Sequence, residues 1–212
     1  MSYKVIILII ILYLELTIGE VLIHKYIMHN KPDSIIRKLY GDSHVKHHLD
    51  VKSDMKLSDN YFEQGLYFSK TDAFYVAIIL FICWYPTFIY FYPKINMTYI
   101  IGLSLFMGIT YKVLWDYLHY SFHQLSELES KKRNPIFNWL FTNHTLHHLQ
   151  KGEKKGNYNI IFPGGDFILG TYNSCVNNKN ICKESEQSDI MKEMCNYEKQ
   201  QQPLKHNIKW CK

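Results

Sequence analysis

Apolar positions gather into three long runs and thin out elsewhere. Residues 5–23 form the first run, broken by charge only at Glu15 and Glu20, and residues 73–93 and 95–111 form the other two. A helix needs about 20 apolar residues to cross a bilayer. The first run therefore predicts one transmembrane helix, and the second and third predict a transmembrane hairpin closed around Tyr92-Pro93-Lys94, with Pro86 expected to kink its first arm. The expected fold class is all-α: an integral membrane helical protein of about three transmembrane helices with a helical cap on one side.

The polar stretches divide the rest. Residues 1–23 are read as the first transmembrane helix, 24–71 as a polar cytosolic segment, 72–115 as the hairpin, 116–171 as a second polar segment that is cytosolic and catalytic, and 172–212 as a polar, mobile tail. Pro32-Asp33-Ser34 is expected to open a short helix through Leu39, which Gly41 would close. The third span is expected to continue as helix over 112–123. A further helix over 136–149 would carry Ile136, Phe137, Leu140 and Phe141 on its apolar side. Tyr61, Phe62, Tyr67 and Phe68 suit either the headgroup level or plain packing.

Charge fixes an expected orientation. The 212-residue chain carries 24 basic and 19 acidic residues, a formal +5. A lysine-rich excess of this size suits nucleic acid or an anionic membrane, and with only two arginines, Arg37 and Arg133, and no arginine-aromatic cluster, the membrane is favoured and no nucleic acid is expected. Eight of the basic residues lie between Lys25 and Lys70, which places that loop in the cytosol. The hairpin then dips across and returns, bringing both polar segments to one membrane face. A cleaved leader is the alternative for the first run, and Glu15 together with the lack of a small-residue cleavage site argues against it. The five cysteines, Cys83, Cys175, Cys182, Cys195 and Cys211, show no C-x-x-C spacing, so a disulfide framework is not expected.

Histidine changes the picture most. Ser43-His44-Val45-Lys46-His47-His48 and Asn143-His144-Thr145-Leu146-His147-His148 are two H-x-x-H-H boxes, and each follows a looser pair, His24 with His29 and His119 with His123. Positions i, i+3 and i+4 of a helix share a face, so each box is expected to aim three imidazoles at one point. Two matched sets account for ten of the eleven histidines, leaving only His206 outside, and scattered polar residues have no reason to fall into such sets. Ten imidazoles can furnish two metals, whereas a single zinc takes about four ligands, and H-E-x-x-H is absent. Imidazole suits iron, copper, zinc and nickel alike, so ligand type leaves the metal open. Glu20 lies four residues before His24 and Asp116 three before His119, which makes each carboxylate a candidate acceptor for the neighbouring imidazole N–H. His24 and His29 lie about 140° apart on an ideal helix, so one of them must sit near a helix end or bend.

With these motifs the chain resembles the fatty acid hydroxylase and sterol desaturase superfamily, the membrane-bound histidine-rich di-iron oxygenases. The resemblance runs from about Glu20 to Thr171 and includes Asp166-Phe167-Ile168-Leu169-Gly170-Thr171, which is similar to the family's terminal D-x-x-x-G-T. It implies two irons on His24, His29, His44, His47, His48, His119, His123, His144, His147 and His148, facing the cytosol at the endoplasmic reticulum membrane. It also implies O2 as co-substrate, a lipid substrate such as the acyl chain of a fatty acid or sphingolipid, and hydroxylation, with desaturation or oxidation of sterol or other lipids as the alternative. A membrane protein that holds metal without turnover would need the same residues. Three departures from the family stand out: Gln124 replaces a further histidine, Leu49-Asp50-Val51-Lys52 replaces a proline-containing stretch, and Pro163-Gly164-Gly165 lacks the histidine of a fused haem domain. Electrons would then come from a separate carrier such as a b-type cytochrome or its reductase.

Overall fold

The structure is a computed structural model that describes residues 3–30, 33–35, 38, 41–51, 55, 72–124, 134–150 and 155–174. Among these residues the protein is all-helical. Helix α1 (Tyr3–Ile23) runs without a break into a π-helical turn (His24–Met28), and α2 (Asp42–Asp50) follows. The hairpin arms are α3 (Asp72–Phe91) and α4 (Met97–Gln124), and α5 (Pro135–Leu149) and the short α6 (Gly165–Ile168) follow among the described residues.

Three of these helical stretches are long and apolar enough to cross a membrane: Tyr3–Met28, Ala73–Phe91 and Met97–His123. Their outward side chains remain apolar, with Ile9, Ile10, Ile82, Phe106 and Ile109 all exposed. Exposed tyrosines mark both ends, Tyr3, Tyr90 and Tyr99 at one and Tyr26, Tyr75 and Tyr117 at the other, as expected of residues at the two membrane surfaces. Between the spans Leu8, Leu80, Trp84, Phe88 and Ile100 form a buried core. Gly108 lets the hairpin arms meet closely, since a Cβ there would lie 2.6 Å from the Ala73 carbonyl oxygen and 2.9 Å from Ala77 Cβ. Asn96 closes the hairpin turn by accepting from the Thr98 N–H (2.9 Å), a cap at the start of α4.

Beyond the spans the polar segments fold back over the ends of α1 and α4. A second core, Met28, Trp115, Phe122, Phe137, Leu140, Phe141, Ile160 and Ile161, carries α5 on this surface. Helix α5 starts one residue earlier than expected, because Pro135 suits the first helical position and Asn134 Oδ1 accepts from the Phe137 N–H (2.7 Å). Pro86 sits inside α3, which continues past it to Phe91.

Two sequence expectations need correction. Gly41 opens α2, its carbonyl accepting the first helical bond from Val45 (2.9 Å), and its φ of −108° is not the left-handed conformation of a closing glycine. The expected tail does not begin at Tyr172: that ring stacks on Phe167 (centroids 4.1 Å apart), and Asn173 is hydrogen-bonded to Asn157. Of the short helix expected after Pro32, the Lys38 N–H bonds the Ser34 carbonyl (3.1 Å) and most of the rest lies outside the described residues. Tyr61, Phe62, Tyr67, Phe68 and residues 175–212 also lie outside them.

Candidate metal centre

The ten box and pair histidines come together in two groups of five. His24, His29, His44, His48 and His147 form one, and His47, His119, His123, His144 and His148 form the other, each with its ligand nitrogens within 4.8 Å of one another. The local fold explains how each side chain arrives. At the end of α1 the π-turn bonds the His29 N–H back five residues to the His24 carbonyl (3.1 Å). Widening the turn brings positions i and i+5 onto one side, so the two rings stack at 5.2 Å. The expected bend is therefore a π-turn. His119 and His123 sit one ordinary turn apart on α4, with ring centroids 5.2 Å apart.

The boxes behave differently from the expectation that each aims at one point. Each box divides, giving its i and i+4 residues to one group and its i+3 residue to the other. His44 and His48 join the first group and His47 the second, whereas His144 and His148 join the second and His147 the first. At about 100° per residue, i and i+4 lie about 40° apart, while i+3 lies about 60° to the other side of i. Two adjacent centres exploit that splay. The groups touch where His48 stacks on His148, with ring centroids 4.0 Å apart.

Imidazole chemistry shows that these groups suit a cation. The Nε2 atoms of the first group approach pairwise: His24 to His44 at 2.9 Å, His29 to His147 at 3.0 Å, His44 to both His29 and His48 at 3.1 Å, and His147 to His48 at 3.2 Å. A neutral ring has one N–H, and two of these rings use theirs elsewhere. His24 Nδ1 donates to the Tyr158 carbonyl (2.6 Å) and His147 Nδ1 to the Gly156 carbonyl (2.8 Å), so both Nε2 atoms present bare lone pairs. One N–H on His44 cannot serve three neighbours. Nitrogens about 2.1 Å from one ion and at right angles about it stand about 3.0 Å apart, which is the separation found. In the second group His123 Nδ1 donates to the Met55 carbonyl (2.7 Å), and its Nε2 lies 3.1 Å from that of His144. Five donors per group exceed the four of a closed zinc site.

Burial keeps the donors neutral. His44, His47, His48, His144, His147 and His148 are all held well below the ordinary imidazole pKa by desolvation, with the neighbouring rings adding repulsion. Lys155 lies over His48, its Nζ 3.2 Å from Nδ1, and burial pushes its pKa down to about 7.

The two carboxylates expected to orient histidines do something else. Asp116 pairs with Lys112, one turn before it on α4. Glu20 accepts from the N–H groups of Ile161 and Phe162 (both 3.0 Å) and from Asn159 Nδ2 (3.0 Å), because its side chain leaves α1 toward that loop. Backbone carbonyls take over the orienting role. Gly156 and Tyr158 supply two of them from either side of Asn157, whose φ of +61° turns the chain. Asn157 is held there by paired bonds with Asn173, 2.6 and 2.8 Å. Asp166 pins the same strand of chain by accepting from the N–H groups of Tyr158 (2.9 Å) and Asn159 (2.8 Å) and from Thr171 Oγ1 (2.6 Å). The Asp166 to Thr171 motif thus acts on the metal groups through Tyr158. The sequence signal for these residues was the polar alternation of Asn157-Tyr158-Asn159 just after the last box, which backbone-carbonyl roles leave otherwise unmarked.

No protein-family model, no curated protein and no solved structure matches this chain.

Proposed function

We propose that this protein is an oxygen-dependent di-iron lipid hydroxylase acting on an acyl chain of a fatty acid or sphingolipid at the endoplasmic reticulum membrane, with its histidines in the cytosol. The observation that carries the reading is the pair of adjacent five-imidazole groups at the end of three membrane-length helices. Ten neutral nitrogens and no carboxylate would hold two metal ions while leaving their positive charge largely uncompensated. Bound metal would still need room for an exchangeable ligand beside these five donors in each group. Bound iron would supply reduction of O2 and removal of hydrogen from an unactivated C–H bond, with electrons from a separate b-type cytochrome or its reductase.

The chain's own part is to hold, orient and shield. Three backbone carbonyls fix ring tautomers at His24, His123 and His147. Trp115 lies under both groups, with ring centroids 5.8 Å from His24 and 5.6 Å from His119. Tyr111 stacks beside it and against Phe162, closing the membrane side with aromatic rings. A lipid reaching the centre from the bilayer meets this apolar floor, where water is excluded.

Metal content and product formation on one detergent-purified sample test the reading, with a His147→Ala, His148→Ala double variant beside it. Two irons per chain, lost in the variant, and a lipid gaining one oxygen atom are expected. A lipid losing two hydrogens would make the protein a desaturase. Stoichiometric metal without oxygen uptake, given a reductase and a broad lipid extract, would leave a metal-holding membrane protein.

A further inference from the structure

One face of the first span carries three polar side chains, Tyr13, Thr17 and Glu20, at intervals of four and three residues along α1. All three bond the same piece of irregular chain. The Tyr13 hydroxyl donates to the Pro163 carbonyl (2.6 Å), and Thr17 Oγ1 donates to the Phe162 carbonyl (2.6 Å) while accepting from the Gly165 N–H (2.7 Å). Glu20 takes the N–H groups of Ile161 and Phe162 at 3.0 Å. Gly165 lies so close that a Cβ would run into the Thr17 carbonyl and approach Val21 Cγ2 at 2.9 Å.

The depth of these contacts is the informative quantity. At about 1.5 Å per residue, Tyr3–Ile23 spans about 30 Å, the thickness of a hydrocarbon core. Glu20 then lies about 5 Å, Thr17 about 9 Å and Tyr13 about 15 Å below the end of α1. Backbone that is not helical survives at such depth only if protein satisfies its N–H and C=O groups. The stripe on α1 does this for the chain between Ile161 and Gly165. Phe167, Ile168 and Leu169 follow, 55%, 53% and 40% exposed, with no charged side chain among them. On α1 the exposed Leu14 and Ile10, one and two turns before Thr17, are apolar as well.

We propose that residues 161–169 form a re-entrant element sunk into the bilayer beside the first span, with Phe167, Ile168 and Leu169 packed against lipid acyl chains. The element would lie below the cytosolic surface to which the sequence pattern assigns residues 116–171 as a whole, and it is independent of which metal or reaction the histidines support. Thr17 and Glu20 are anchors for this element, which accounts for two polar residues in a membrane helix.

Spin labels on the full chain in phosphatidylcholine nanodiscs test it. Single labels at Ile168→Cys, Leu14→Cys and Lys46→Cys, in a background with the five native cysteines changed to serine, report collision with O2 and with a water-soluble nickel chelate. The expected oxygen-to-nickel ratio at position 168 is about tenfold above that at 46 and within about twofold of that at 14. Adding Thr17→Val is expected to lower the ratio at 168 toward that at 46 and leave position 14 unchanged, which separates release of the loop from misfolding. A label at 168 as open to nickel as the one at 46 would overturn the proposal. So would a label closed to both reagents, the signature of a protein partner or second copy on this surface.

Discussion

His47 and His147 occupy the same place in their boxes and serve opposite groups. Each is the i+3 residue of an H-x-x-H-H sequence, and each completes the set of five begun by the other half of the chain. The first group takes His24, His29, His44 and His48 from the N-terminal half and His147 from the C-terminal half. The second mirrors this, with His119, His123, His144, His148 and His47. Neither half therefore owns a complete group, and a metal held in either one would tie the halves together.

This exchange makes single substitutions diagnostic. His47→Ala is expected to weaken metal binding in the group containing His119 by more than about 100-fold while the other ion is retained, and His147→Ala to do the reverse. Metal titration followed by isothermal calorimetry reads this as one tight and one weak site in each variant. Equal loss of both ions in both variants would contradict the exchange.

The buried imidazoles set the direction of a pH effect on the metal-free protein. His44, His47, His48, His144, His147 and His148 have folded pKa values below the ordinary 6.5, so the unfolded chain binds more protons as pH falls below that value. Stability is present above about pH 6.5 and is lost as pH drops toward the depressed folded values, by up to about 1.4 kcal/mol per pH unit for each group. Tm of the metal-free protein is expected to fall steeply between pH 6.5 and 5 and to rise more gently from 7 to 8, where Lys155, lowered by burial to about 7, loses its proton in the folded chain while the unfolded chain keeps it. Bound metal should shift the fall to lower pH.

Asp166 holds the Tyr158 backbone whose carbonyl orients His24, so its removal should distinguish the two groups. Asp166→Ala leaves the Tyr158 and Asn159 N–H groups without their buried acceptor, at a cost of about 2–4 kcal/mol. Tyr158 then holds His24 less firmly, and affinity at the first group should drop about 10- to 100-fold with the second nearly unchanged. Equal loss at both groups would mean that Asp166 supports the fold alone.

Gly108 tests the hairpin. Gly108→Val should destabilise the packing of α3 on α4 by about 1–3 kcal/mol, because the new Cβ meets the Ala73 carbonyl oxygen and Ala77. Gly102→Ala, where a Cβ has open space, is the control and should be neutral in a thermal or steric-trap unfolding assay.

The spans, the ten histidines and their meeting at one end were legible in the sequence because each rests on a local regularity. A run of about 20 apolar residues makes a span by its length alone. Boxes spaced i, i+3, i+4 declare a shared helical face, and the i, i+5 spacing of His24 and His29 already demanded a departure from the α-helix. Tertiary structure decided the rest. Which histidine joins which group depends on where two helices a hundred residues apart place their splayed i+3 side chains, and no spacing encodes that. Glu20 lies one turn from His24 and by spacing alone suits that ring, yet a loop from 141 residues downstream reaches it and takes its oxygens. The groups that orient His24, His123 and His147 are backbone carbonyls, which every residue possesses, so composition could not mark them. Only the folded chain, which turns at Asn157 and is clamped by Asp166 and Asn173, aims two of them at the metal centre.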